Sequence, residues 1–321
     1  MRTARIALVF AVGVFMAAGA LAQSYPAKPV RVIVPFTAGS ATDIVARMVC
    51  GKLSELWGKT VLVDNRSGAG GTVGTGIAAK SLPYGYTLLL HSTAYAASPA
   101  VYPTLPYNAT KDFIDVSALM SQPYVLVVGA AAGVKTTGEL IAAARAKPGK
   151  INFGSAGTGG GTHFVAEKFR LAAGIDVVHV PYKGGPEATI DTMTGRVTYW
   201  FPPIGLALPF VRDGRLLALG VSSAQRSKSL PDVPTIAEAG VSSFSDTVWW
   251  GLWAPAGTPA IVVDKIAKDV ASAHAAADLG DRITKFAAEP MRMTRAQFAS
   301  FVRSEIESAA HIVKAAGIKA Q

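Results

Sequence analysis

The sequence predicts an α/β fold of two lobes, each a parallel-rich sheet flanked by helices, with a ligand cleft between them. Three observations lead there. Short β-branched runs alternate with helical stretches across Gly-rich turns, the alternation passes through two successive series, and a helical tail follows the second. Strand, turn and helix in alternation build parallel sheets wrapped by helices.

The first series opens with the strand Val30–Val34, stopped by Pro35 and followed by the turn Phe36–Ser40. Ala41–Val49 reads as a helix with Asp43 in its first turn. Val61–Val63 is a second strand, and the Gly-rich stretch 64–76 leads into a helix ending near Lys80. A third strand, Tyr86–Leu90, runs out at His91, Ser92 and Thr93. Tyr124–Val128 then begins the second series. It continues with a helix at Thr137–Ala146, a strand at Ile151–Phe153, a loop at Gly154–Gly161, a helix at Thr162–Ala173 and a strand at Val177–Val180. A helix to Met193 and strands at Val197–Phe201 and Leu216–Val221 extend it, and Trp249–Trp253 is a further apolar strand. Helices near residues 260–277, 279–288 and 295–316 close the chain.

These boundaries place residues 23–123 with 250–321 in lobe 1 and 124–249 in lobe 2, with a hinge near 121–126 and 222–250. Open parallel sheets take ligands beyond the carboxyl ends of their strands, where loops meet helix N-termini. Two such edges facing each other form a cleft.

Residues 1–22 carry Arg2 and Arg5, an uncharged apolar run from Ile6, and the small-residue exit Ala20-Leu21-Ala22. This is the tripartite pattern of a cleavable signal peptide, shorter than the ~20 apolar residues that span a bilayer. Cleavage after Ala22 would release the protein to the periplasm. The rest suits two domains of ~100–200 residues each. Cys50 is the single cysteine, so no internal disulfide supports the fold, and it reads as a small buried hydrophobe. Thirty-one Lys and Arg outnumber 21 Asp and Glu for a net charge of +10. They are scattered singly, which argues against nucleic acid as a partner, while a diffuse positive field raises encounter rates with small anions.

Two loops carry the chemistry. In Pro35–Asp43 a strand ends, glycine turns the chain and a helix starts, leaving N–H groups free for an anion. Asp43 fixes this loop as a helix-start residue; an ordinary βα turn is the plainer alternative. Phe153–His163 repeats the logic with more glycine, and Ser155, Thr158 and Thr162 add hydroxyl donors suited to a carboxylate. His163, one turn into the helix, reads as a capping or packing residue. A nucleotide site would need a Gly-Lys-Ser/Thr ending that is missing here, and the glycines at 154, 157 and 159–161 are a weak dinucleotide pattern. A secreted hydrolase using Ser155 would need Gly-x-Ser-x-Gly, but Phe153 stands where the first glycine belongs. The five histidines are scattered, with no Cys/His cluster for zinc. Neither a catalytic group, a metal nor a cofactor is expected.

The stretches YPAKPVRVIVPFTAGSATDIVAR, VDNRSGAGGTVGTGIAAKSLPYGYTLLL, INFGSAGTGGGTH, VPYKGGPEATIDTMTGRV, SLPDVPTIAEAG and WWGLWAPAGTP follow one another along the chain. Together they resemble the Bug-type substrate-binding proteins of tripartite tricarboxylate transporters. The resemblance implies a two-lobed periplasmic binding protein, type II-like, that captures a small organic acid for uptake or sensing. It implies that Phe36, Thr37, Gly39, Ser40, Ala41, Thr42 and Asp43 line the cleft, facing Ser155, Ala156, Gly157, Thr158, Thr162 and His163. Ser92, Thr93, Tyr182, Lys183 and Gly184 are implied nearby. The implied partners are integral membrane transporter subunits or a membrane sensor protein. Three departures stand near the cleft floor: Thr37–Ala41 where the family usually has Pro-Gly-Gly, Thr198 where it usually has Asp, and Pro202-Pro203 in place of a more polar stretch.

Overall fold

A computed structural model describes residues 25–318. The expected signal peptide and its exit before Gln23 lie outside the described residues. The first part of the chain carries β1 (Val30–Val34), α1 (Ala41–Trp57), β2 (Val61–Asn65), α2 (Thr72–Ala79), β3 (Thr87–Ser92), α3 (Ala94–Val101) and β4 (Phe113–Pro123). The middle carries β5 (Val125–Gly129), α4 (Thr137–Ala146), β6 (Asn152–Ser155), α5 (Gly161–Ala173), β7 (Val178–Pro181), α6 (Gly185–Met193), β8 (Tyr199–Trp200), α7 (Ile204–Arg212) and β9 (Leu216–Val221). The last part carries β10 (Thr247–Pro255), α8 (Ala260–Ala275), α9 (Ala277–Lys285), β11 (Glu289–Pro290) and α10 (Arg295–Ala316).

The strands form two sheets, ordered β11-β4-β10-β3-β1-β2 and β7-β6-β8-β5-β9, and each is the centre of one lobe. In the first, β1 runs parallel to β2 and β3. In the second, β6 runs parallel to β7 and β8. Both sheets are mixed, so parallel pairing dominates less than the alternation suggests. The antiparallel partners β4, β5 and β10 are the strands beside the crossings between lobes. Lacking a crossover helix to turn them around, they pair against their neighbours' direction.

Helix α1 shows how sequence becomes packing. Val45, Val49 and Leu53 recur at four-residue spacing and are buried against β1 and β3. Each such burial contributes roughly 1.5–3 kcal/mol. Ser40 caps its start and Gly58, at φ +58°, ends it in a left-handed turn that glycine adopts freely. In β10 the two-residue period sends Trp249 and Trp253 to one face of the sheet and Trp250 and Leu252 to the other. The tail returns to the first sheet: α8 packs on α1, and α10 packs on α3 and β4 behind a Thr294/Gln297 capping box.

Two crossings join the lobes. Strand β4 ends at Pro123 and β5 begins at Val125 in the other sheet, while residues 222–246 carry the chain back to β10. The crossings are tied together through buried Ser222. Its Oγ accepts from Tyr124 N (2.8 Å) and donates to the Asp246 carbonyl (2.6 Å).

Candidate functional site

The loops after β1 and β6 face each other across a cleft. From the first lobe it is lined by Phe36, Ser40, Ala41, Thr42 and Ser92, and from the second by Ala156, Gly160, Gly161 and Thr162. Helices α1 and α5 both start at this wall. The first N–H groups of a helix have no intrahelical acceptor, and the helix dipole adds partial positive charge. At α1 the Asp43 N–H is taken by Ser40 Oγ (3.2 Å) and the Ile44 N–H by the Ser40 carbonyl, which leaves those of Ala41 and Thr42. At α5 the His163 and Phe164 N–H groups bond the Gly160 carbonyl, which leaves those of Gly161 and Thr162.

The hydroxyls here are oriented by what they accept. Ser40 Oγ takes the Asp43 N–H, Thr42 Oγ1 takes Trp250 Nε1–H (3.0 Å) and Thr162 Oγ1 takes the Ala156 N–H (2.8 Å). A hydroxyl whose oxygen accepts from the protein keeps its O–H to donate. Among the described residues that line the cleft, none carries a charge. The remaining wall is largely apolar: Trp200, Pro203, Leu206, Val248 and Trp250, with Tyr124 beside the crossing. The Tyr124 hydroxyl is buried, and the adjacent Thr93 side chain does not reach a hydrogen bond with it.

Asp43 lies beneath α1's start and serves the loop. Burial opposes its ionisation, but hydrogen bonds from Arg47 (2.9 Å), the Gly39 N–H (2.9 Å) and Asn65 (2.9 Å) outweigh this and hold its pKa below the usual range.

Ser155 does not reach the cleft. It is fully buried, with Oγ 2.6 Å from His179 Nε2 and accepting from the Gly157 N–H (3.1 Å). The pair has the components of a nucleophile and base, but no substrate reaches a hydroxyl sealed in this way. His163 is buried too: its Nδ1 accepts from the Gly159 N–H (3.1 Å) and its ring stacks on His179 with centroids 3.9 Å apart. Desolvation lowers the pKa of His163 to about 3 and of His179 to about 4, so both stay neutral.

The remaining expected residues sit around the rim. Gly157, Thr158, Tyr182 and Lys183 line an adjoining crevice at the mouth, which shares Ala156 with the cleft. There Tyr102 of the first lobe donates its hydroxyl to the Thr158 carbonyl of the second (2.8 Å). Thr37 and Gly184 also meet across the mouth, with Thr37 Oγ1 3.5 Å from Glu187 Oε2. Gly39 donates to Asp43, and Thr93 faces a separate cavity, where its Oγ1 accepts from the Trp249 N–H (3.1 Å). Sequence reasoning placed Pro203 near the cleft floor but missed Tyr124, Gly160, Gly161, Gly185, Trp200, Leu206, Val248 and Trp250. Among the described residues no group of three or more His, Cys, Asp or Glu comes together as a metal site.

Two α/β lobes that bring helix starts and neutral donors to one cleft define a solute-binding receptor of the periplasmic type. Residues 45–318 match the family described as Tripartite tricarboxylate transporter family receptor. The chain belongs to this family of periplasmic solute-binding receptors, and it is a binding protein rather than an enzyme. It is 33% identical to Protein BugT of Bordetella pertussis over 319 residues, covering 97% of this chain and 98% of the relative. Among solved structures it is similar to an R. palustris protein with adipate, with a TM-score of 0.89 at 31% identity, covering 92% of this chain and 99% of that one. It is also similar to MatC from Rhodopseudomonas palustris with bound malate, with a TM-score of 0.86 at 30% identity, covering 90% and 100%.

Proposed function

We propose that this receptor captures a small carboxylate in the cleft: a dicarboxylate, an acidic amino acid or an aromatic acid. One observation carries the reading. The starts of α1 and α5 and the hydroxyls of Ser40, Thr42 and Thr162 converge on a wall with no charged side chain. Neutral donors of this kind desolvate an anion without leaving an unpaired cation when the ligand departs. That two structural relatives carry adipate and malate, both carboxylates, supports the same class. In this reading Phe36, Ala41, Ser92 and Ala156 shape the pocket. Thr37, Gly157, Thr158, Tyr182, Lys183 and Gly184 form its mouth, while Gly39, Asp43, Thr93, Ser155 and His163 hold the loops.

Calorimetry with a panel of organic acids, against ATP and NAD, tests the proposal. Micromolar or tighter binding of at least one acid is expected, and binding of nucleotides alone would refute it.

The lobes close over the ligand about the two crossings at Tyr124 and residues 222–246. The mutual hydrogen bonds of Ser222, Tyr124 and Asp246 suit a shared hinge. Small-angle scattering should show a smaller radius of gyration at saturation; an unchanged radius would count against closure. The mature chain begins near Gln23, which N-terminal sequencing of the exported protein checks. The loaded receptor docks on integral membrane transporter subunits or hands its closed shape to a membrane sensor. Co-purification with either from a membrane extract, dependent on ligand, separates the two.

A further inference from the structure

The chain's five tryptophans divide by what their indole N–H groups meet. Trp57 donates to Asp269, Trp249 to Glu305, Trp250 to Thr42 and Trp253 to Asp115. Trp200 is fully buried, and its Nε1–H has no acceptor. Buried donors are nearly always paired, so an exception at a binding wall points to a missing partner. The Trp200 ring is part of the cleft wall, and a Cβ built on Gly185, at the start of α6, would stand 3.3 Å from its benzo edge.

The surroundings of this indole are apolar. Phe36, Pro203, Leu206, Val248 and Trp250 share the cleft with it. Helix α7 also begins here, but its second and third N–H groups are taken: that of Gly205 donates to Gln122 Oε1 (2.8 Å) and that of Leu206 to the Pro203 carbonyl. The cleft thus has a polar side, at α1 and α5, and an aromatic side whose unspent side-chain donors, the Trp200 indole N–H and the Tyr124 hydroxyl beside the crossing, are both neutral. A second carboxylate on the aromatic side would exchange its full hydration for at most these two neutral donors in an otherwise apolar wall, which is unfavourable. A ring there would pack against the faces of Phe36, Trp200 and Trp250.

We propose that the cleft selects an aromatic monocarboxylate whose ring carries a neutral hydroxyl or carbonyl oxygen, and that Trp200 Nε1 donates to that oxygen. This rests on the carboxylate reading of the cleft. The test is calorimetry of the mature protein with benzoate, the three hydroxybenzoate isomers, adipate and malate, repeated on Trp200→Phe. At least one hydroxybenzoate should bind about 3- to 10-fold tighter than benzoate, the scale of one neutral hydrogen bond, and tighter than both dicarboxylates. In Trp200→Phe the ratio of the two affinities should fall to about one, whatever the change in benzoate affinity that the smaller ring brings. Comparison of the isomers on the unaltered protein keeps the test decisive if the variant fails to fold. Adipate or malate binding tightest would overturn this inference and leave the carboxylate reading standing. So would isomers no better than benzoate, or a gain that survives in Trp200→Phe. Binding of nucleotides and none of these acids would instead overturn the carboxylate reading itself.

Discussion

Gly184→Ala puts a wedge in the cleft mouth without touching the pocket. Gly184 is in extended backbone at φ −170°, which any residue adopts, so the substitution adds no backbone strain. A Cβ built there would overlap Thr37 Oγ1 and would lie 3.1 Å from Thr37 Cβ and 3.2 Å from Glu187 Oε2. Rotation of Thr37 moves its hydroxyl away, but the Cβ contact stays tighter than ordinary packing. Overpacking of this kind costs about 1–3 kcal/mol. Thr37 belongs to the first lobe and Gly184 to the second, so the cost falls on the closed state alone. The dissociation constant should therefore rise about 5- to 150-fold, while the melting temperature without ligand stays within about 1–2 °C. Thr37→Ala in the same chain removes the overlapping oxygen and should restore most of the affinity. Calorimetry and thermal unfolding of the two single variants and the double variant measure the cycle. Unchanged affinity in Gly184→Ala would refute the argument that these lobes meet when ligand is held. A parallel loss of melting temperature would show that the residue supports one lobe internally.

Tyr102→Phe deletes the hydrogen bond to the Thr158 carbonyl across the mouth and should weaken binding about 2- to 10-fold, mostly through faster release; equal off-rates in stopped flow would contradict this. Asp43→Ala strips acceptors from Gly39, Arg47 and Asn65 and should destabilise the protein by about 2–3 kcal/mol in urea unfolding, a loss that a neutral outcome would disprove. Stability should also fall as pH drops from 7 towards 4. His91 and His163 are buried with pKa values lowered from 6.5 to about 3, so the unfolded chain binds protons there that the folded chain refuses. Their contribution is complete above pH 6.5 and declines below it by at most about 1.4 kcal/mol per histidine per pH unit, and a flat unfolding profile between pH 7 and 5 would exclude it.

The two loops were legible because a strand, a glycine turn and a helix start leave a pattern in sequence. Which side chains of those loops face the ligand was not. Ser155 ends β6, where side chains alternate between faces, and it shares the face of Phe153 two residues earlier. That face packs against His163 and His179, so the hydroxyl is sealed while Ala156 meets the cleft. Strand β4 escaped notice because Asp115, Ser117, Ser121 and Gln122 interrupt any apolar run. Its partners explain them afterwards: Asp115 accepts from the Trp253 indole and Gln122 from Gly205. Helices α3 and α7 were hidden by Pro99 and Pro209, which read as breaks. The apolar wall of Trp200, Leu206, Val248 and Trp250 has the composition of any core, and only the fold turns it towards the ligand.

The placement of Asp43 and of the hydroxyls has one physical cause. The start of α1 offers its free amides to whichever anion comes nearest, and the chain's own carboxylate is the permanent competitor. Asp43 avoids that competition by turning beneath the loop, where Arg47, Asn65 and the Gly39 N–H saturate it. Ser40 Oγ takes the Asp43 N–H, so the groups spent on the fold are the third N–H and the capping oxygen, and those left for a ligand are the first two N–H groups. An arginine in the wall would bind a carboxylate more tightly. It would also need a partner of its own in the open receptor, and exchanging that partner for the ligand would subtract from the gain. A receptor that must release its solute as well as hold it is better served by neutral donors whose net strength is set by how far the lobes exclude water. Affinity in this chain should accordingly respond more to changes at the mouth, where Thr37 meets Gly184 and Tyr102 meets Thr158, than to the loss of any single donor in the wall.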